Sequence, residues 1–272
     1  ESRTNQIMEK HVEMINGLDV AQMGDGAPLI LLHSLLADRS VFERVESDLA
    51  RNYRLIMPNL PAHGTSEPLP EPVHIEHYAD QVASLADTLG LPADTDVLGN
   101  GFGGFVSVAL AVNHGDRFGK FIFADTGAGF PDAAKGALQA MADKVEADGM
   151  ESVLDIAVAR MFPPDYLDAH PDIVAERKDC LRQAQAPMFA AAARALTHLS
   201  LHSRLPGIRN PVLVMVGAVD QTTPPFLSHE LWQNIPSSRY AEIPGCGHCP
   251  PIQEPQQFIR LLDSFLAGQT VH

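Results

Sequence analysis

Short apolar runs bounded by turn residues alternate with longer segments whose apolar residues recur every three or four positions. This alternation constrains the chain to a βαβ architecture with a buried, mostly parallel sheet. "HVEMING" and "LDVAQMG" predict an opening hairpin. "APLILLHS", "YRLIMPNL", "TDVLGN", "KFIFADT", "NPVLVMVGAVD" and "RYAEIPG" predict the later strands. Helices are expected over "SVFERVESDLA", "HYADQVASLADTLG", "GGFVSVALAVNHG" and "PQQFIRLLDSFLAG". From Phe130 to Leu205 the alternation stops, leaving helical patterns such as "GALQAMADKVEADG", "MESVLDIAVARMF" and "APMFAAAARALTHL". The expectation is a core over residues 1–129 and 206–272 with a helical cap over 130–205 inserted between two of its strands. A chain of 272 residues is long enough for both.

The loop "GNGFGG" after the fifth predicted strand admits two readings. Gly99, Gly101 and Gly104 stand in G-x-G-x-x-G spacing between a strand and a helix, and Asp125 follows where a ribose-binding acid would stand. That is the layout of a dinucleotide-binding turn. The same residues fit a nucleophile elbow, small-x-nucleophile-x-small-small, in which tiny neighbours let strand and helix approach around one strained residue. In that frame the nucleophile position is Gly101, which is sterically suitable and chemically empty.

The flanking motifs favour the elbow. In order along the chain, "LLHSLLADRSVF", "NLPAHGTSEP", "GNGFGG", "VGAVDQTTPP" and "GCGHCPPIQEPQQF" together resemble the α/β-hydrolase superfamily over nearly the whole sequence. "HSLLADRSVF" resembles the oxyanion-loop region of enol-lactone hydrolases. "GNGFGG" is similar to the "GNSFGG" elbow of C–C hydrolases that act on aromatic meta-cleavage products. The resemblance implies an α/β-hydrolase fold with His248 as the base and Asp220, at the end of its strand, as the acid that orients it. It implies that the backbone amides of Leu35 and Phe102 form the oxyanion hole. His33, Ser34 and Asn100 stand beside this hole as candidate substrate contacts, and Asp125 is either a structural loop cap or, as in related enzymes, an alternative acid. Met161, Phe162, Met188 and Phe189 are candidate pocket-lining residues, and His198 is a weaker one.

A glycine in the nucleophile position leaves three explanations: a Ser→Gly variant, a natural serine-free mechanism with His248 as general base, or a catalytically silent binding protein. The first two predict a hydrolase acting on a small ester, lactone or C–C substrate with a carbonyl or enol group. No cofactor and no metal are implied, since the "HLSLH" histidines, His198 and His202, lack a carboxylate partner in sequence. The three cysteines, Cys180, Cys246 and Cys249, do not make a disulfide framework, and "CGHC" lies too late in a long chain for a thioredoxin-like unit. A net charge of −15 repels phosphate backbones and offers nothing to anionic lipid, so nucleic acid and membrane are not expected partners. The polar N-terminal stretch lacks the apolar core of a secretory signal, from which a cytoplasmic location is expected.

Overall fold

The structure is a computed structural model and describes residues 8–269. The opening residues 1–7, part of the stretch read above for targeting, lie outside the described residues. The chain runs β1 (His11–Ile15), β2 (Leu18–Met23), β3 (Ala27–Leu32), α1 (Glu43–Leu49), β4 (Tyr53–Asn59), α2 (Ile75–Thr88), β5 (Asp96–Asn100), α3 (Phe102–His114) and β6 (Phe121–Ala124). It continues α4 (Asp132–Asp148), α5 (Leu154–Ala159), α6 (Pro164–Ala169), α7 (Pro171–Arg182), α8 (Ala186–His198), β7 (Val212–Gly217), α9 (Pro225–Asn234), β8 (Ser238–Ile243), α10 (Pro250–Gln253) and α11 (Pro255–Leu266).

All eight strands join one sheet in the order β1-β2-β4-β3-β5-β6-β7-β8. Only the pairs involving β2 are antiparallel, the opening hairpin and β2 against β4. The inner strands are apolar on both faces because helices cover both sides. β6 and β7 are buried at every position, whereas β1 and β8, at the edges, are largely exposed or half-buried. One detail differs from the sequence reading. β7 stops at Gly217, and Asp220 stands in the turn beyond it, with its N–H donating to Gly217 O at 3.1 Å.

The topology locates the site. β3 is followed by β4 on one side of it and then, through α2, by β5 on the other. Connections that leave in opposite directions open a crevice at the carboxyl ends of the strands. β3 and β5 pair in parallel with Leu32 opposite Gly99. Two residues beyond that pair stand Ser34 and Gly101.

Between β6 and β7 the described chain forms helices and no strand. α4 and α8 pack along each other and are tied by Arg194, which donates to Asp143 and Glu146 at 2.8 and 2.7 Å. This helical insertion is seated on the core by backbone bonds. Gln185 N–H donates to Ala62 O at 2.7 Å, and His248 N–H donates to Met161 O at 3.0 Å. No helix among the described residues is long and apolar enough to cross a membrane.

Candidate active site

The turn from β5 into α3 leaves a single residue, Gly101, with φ 57° and ψ −119°. Residues with a side chain are strained in this region, which glycine occupies without penalty, while the glycines around it answer to close packing. A Cβ on Gly99 would press into Gly103 and the Ser107 hydroxyl, and one on Gly103 would press into the Leu32 carbonyl. Gly103 N–H donates to His33 O at 2.9 Å, tying the helix start to the loop after β3. This is the geometry of an elbow that presents its central residue to the crevice. It corrects the dinucleotide alternative. The Asp125 carboxyl is fully buried, and its Oδ1 accepts Gly217 N–H at 2.8 Å, so no acid there reaches a ribose.

His248, after β8, and Asp220, after β7, meet above this elbow. His248 Nδ1 lies 2.9 Å from Asp220 Oδ2, and both residues are almost wholly buried. Asp220 Oδ1 accepts the N–H groups of Thr222 and Thr223 at 2.8 and 3.1 Å. Burial alone would raise the Asp220 carboxyl, but the adjacent imidazole and the Thr223 donors outweigh it and hold the group below the usual carboxylate range. Asp220 is therefore an anion that fixes the ring, with Nδ1–H donating to it and Nε2 left as the basic atom. Nε2 lies 2.7 Å from the point where a Cβ on Gly101 would stand.

Asp125 supports this pair from beneath. Its backbone takes φ 53°, unusual for a residue with a side chain. Burial, and then the charge of Asp220, push its carboxyl well above the ordinary value. Asp125, Asp220 and His248 bring possible ligand atoms within 4.8 Å of one another. Those atoms are already engaged, on Gly217 N–H and in the His248–Asp220 bond.

The other candidates divide. Leu35 and Phe102 are buried on either side of the elbow, and neither N–H bonds a loop or cap carbonyl among the described residues. Ser34 Oγ lies 3.4 Å from His248 Nε2. His33 and Asn100, by contrast, are committed within the scaffold. His33 Nε2 accepts Leu60 N–H at 2.8 Å and its Nδ1 donates to Ser34 O at 2.8 Å, leaving no ring nitrogen for a substrate. Asn100 Nδ2 donates to His248 O at 3.2 Å and reaches Asp125 Oδ2 at 3.4 Å, so this amide holds the base loop. His33 is corrected from a substrate contact to a positioning residue, whereas Asn100 is engaged through Nδ2 alone and its buried Oδ1 has no hydrogen-bond partner among the described residues.

Met161, Phe162, Met188 and Phe189 are all buried, and Met161 and Phe162 pack on Gly247 beside His248. His198 is exposed, on a surface depression with Lys135 and Gln139. Cys246 and Cys249 are free and buried. Burial, then the charge of Asp125, raises both thiols above their ordinary value, so neither is an activated nucleophile.

Thr223 was not anticipated from sequence. Its Oγ1 lies 2.7 Å from both Asp220 Oδ2 and Asp125 O and 3.1 Å from His248 Nδ1, linking all three. The pattern "DQTT", an Asp followed by hydroxyl residues two and three positions on, is the local mark of such a turn.

Two buried histidines beneath the oxyanion loop give a stability prediction. The rings of His33 and His63 meet edge to face at 4.9 Å. Burial pushes both below the ordinary 6.5, and together with the neighbouring His33 charge it brings His63 to about 3. His63 stays neutral in the fold, while the unfolded chain takes up protons below 6.5. The folded state therefore loses stability as pH falls from 6.5 toward about 3, at up to about 1.4 kcal/mol per pH unit from this site. Urea midpoints at about pH 7.5, 6 and 4.5 check this: the decline is expected to be shallower in His63→Gln than in the parent chain.

The chain belongs to the α/β-hydrolase fold family, whose model matches residues 27–255. It is 28% identical over 242 residues to 3-oxoadipate enol-lactonase 2 of Acinetobacter baylyi, covering 89% of each chain. It is 27% identical over 256 residues to 2-hydroxy-6-oxo-2,4-heptadienoate hydrolase of Pseudomonas putida, covering 91% of each. The solved enol-lactonase from Burkholderia xenovorans superposes with a TM-score of 0.87 at 27% identity, over 94% of this chain and 100% of that one.

Proposed function

We propose that this protein hydrolyses an ester, lactone or C–C bond in a small carbonyl or enol substrate, using His248 as base and no nucleophile from the elbow. Asp220 orients the ring, the amides of Leu35 and Phe102 receive the developing oxyanion, and residues 130–205 form a cap over the substrate. The observation that carries this reading is the intact acid–base pair, His248 Nδ1 to Asp220 Oδ2 at 2.9 Å, with Nε2 aimed at the volume above a glycine. A binding protein with no reaction to run has no need of a buried carboxylate held at that geometry, since burying the charge costs stability unless it is fully bonded. The enol-lactonase and dienoate-hydrolase names of its relatives supply the substrate class.

The test is turnover of activated esters, enol lactones and vinylogous diketones by the chain itself, by His248→Ala and by Gly101→Ser. Turnover by the parent chain that disappears in His248→Ala supports the proposal. Turnover only after Gly101→Ser would make the protein an ordinary serine hydrolase lacking its nucleophile, and binding without turnover in all three would make it a receptor.

A further inference from the structure

Resting on that assignment of His248 as base, we propose that the Ser34 hydroxyl is the nucleophile it serves, so that the covalent step has moved one strand across the sheet, from the elbow to the loop after β3.

Three observations converge on Ser34. The parallel register that sets Leu32 opposite Gly99 carries Ser34 alongside Gly101. Ser34 Oγ is 3.4 Å from His248 Nε2, both residues are buried, and among the described residues it is the only side chain hydrogen-bonded to that nitrogen. The hydroxyl also lies 2.8 Å from the point where a Gly101 Cβ would stand, and Nε2 lies 2.7 Å from the same point. Base and hydroxyl thus close on the volume that the glycine leaves open, and any side chain at position 101 would wedge them apart. Leu36 N–H donates to Ser34 Oγ at 3.4 Å, which leaves the hydroxyl proton free for Nε2 and places a dipole against the charge that develops on the oxygen.

The competing nucleophiles are engaged elsewhere. Ser107 Oγ donates to Gly103 O at 2.7 Å, and Thr223 sits on the Nδ1 side of the ring. The two buried thiols flanking His248 are held protonated.

In the first step Ser34 Oγ forms a bond to the carbonyl carbon of an ester or lactone while its proton passes to His248 Nε2. The carbonyl π pair moves onto oxygen, received by the Phe102 N–H at the start of α3. Collapse restores the carbonyl and breaks the bond to the leaving oxygen, which takes the proton from Nε2. Water then attacks the acyl-Ser34 ester, giving its proton to Nε2. The second collapse releases the acid and returns that proton to Ser34 Oγ. The 3.4 Å separation is the looser contact seen before substrate tightens such a site.

The experiment is covalent capture on the whole 272-residue chain. The chain is treated with a fluorophosphonate and, separately, mixed with a p-nitrophenyl ester and acid-quenched within the first turnovers, then mapped by intact and peptide mass spectrometry. The expected result is a single adduct on the peptide bearing Ser34, absent from Ser34→Ala and His248→Ala, with ester turnover in Ser34→Ala down roughly 10³-fold. Ser34→Cys is expected to regain an acyl adduct on the same peptide, which a merely structural hydroxyl would not produce. No adduct in the parent chain, or an adduct on another residue, overturns the proposal without reference to how any variant folds. Turnover that needs His248 but is unchanged in Ser34→Ala overturns it while leaving the base assignment standing. Turnover indifferent to His248 overturns the assignment beneath it.

Discussion

Replacing Asp220 with asparagine is expected to lower kcat/KM by about 10⁴-fold while the protein remains folded. The carboxylate does three things at once: it accepts two backbone amides on Oδ1, the Thr223 hydroxyl and the imidazole Nδ1 on Oδ2. Asparagine keeps the shape and can still accept the two amides through its carbonyl oxygen. Its NH₂ then faces Nδ1, which must become the acceptor, so the ring proton moves to Nε2 and the base is lost. Folding is affected less, because the variant also removes a buried charge next to Asp125, whose carboxyl is raised largely by burial and that same charge. Steady-state kinetics with a thermal melt on the same sample checks both halves. A variant that keeps more than about a tenth of the parent kcat/KM would show that the ring's tautomer is not set by Asp220.

Gly103→Ala is expected to have the largest effect on folding. The added methyl would press into the carbonyl of Leu32 and stand 2.7 Å from that of His33, both main-chain atoms at the end of a central strand. A flexible side chain can move out of the way, but the backbone of a strand paired on both sides cannot. The helix must shift away from β3, breaking the Gly103 N–H bond to His33 O and opening the elbow. The cost is expected at about 4 kcal/mol or more, which at this chain length lowers the melting temperature by roughly 10 °C or abolishes soluble expression. Gly136→Ala serves as the control. It lies in the exposed face of α4 with nothing near its would-be Cβ, and is expected to gain about 0.5–1 kcal/mol from helix propensity. Equal melting temperatures for Gly103→Ala and the parent chain would refute the close helix–strand contact.

Much of the architecture was legible because it is written in neighbouring residues. Apolar continuity over "APLILL" and "VLVMVG" marks strands covered on both faces, and the three- and four-residue rhythm of "PQQFIRLLDSF" marks a helix with one buried side. The positive φ at Gly101 follows from the same local logic: among the elbow's residues, only one without a side chain takes that conformation without strain. Asp220 and His248 were expected as a pair from the resemblance to the α/β-hydrolase superfamily, each following a predicted strand.

What the substrate would touch was not legible in this way. Sequence places His33, Ser34 and Asn100 side by side with the elbow, yet their roles diverge. Both His33 ring nitrogens are taken by the scaffold, Asn100 gives its Nδ2 to the His248 carbonyl, and the Ser34 hydroxyl is turned toward Nε2. Strand register, the burial that raises the Asp125 carboxyl, and the choice of which side chain fills the volume left by a glycine are set by partners far apart in the chain. Local periodicity and turn chemistry act over a few residues and were determined by the sequence itself; the meeting of Ser34, Gly101 and His248 needed the parallel pairing of β3 with β5 and the return of the chain after β8, because only tertiary contacts bring those three atoms into one desolvated space.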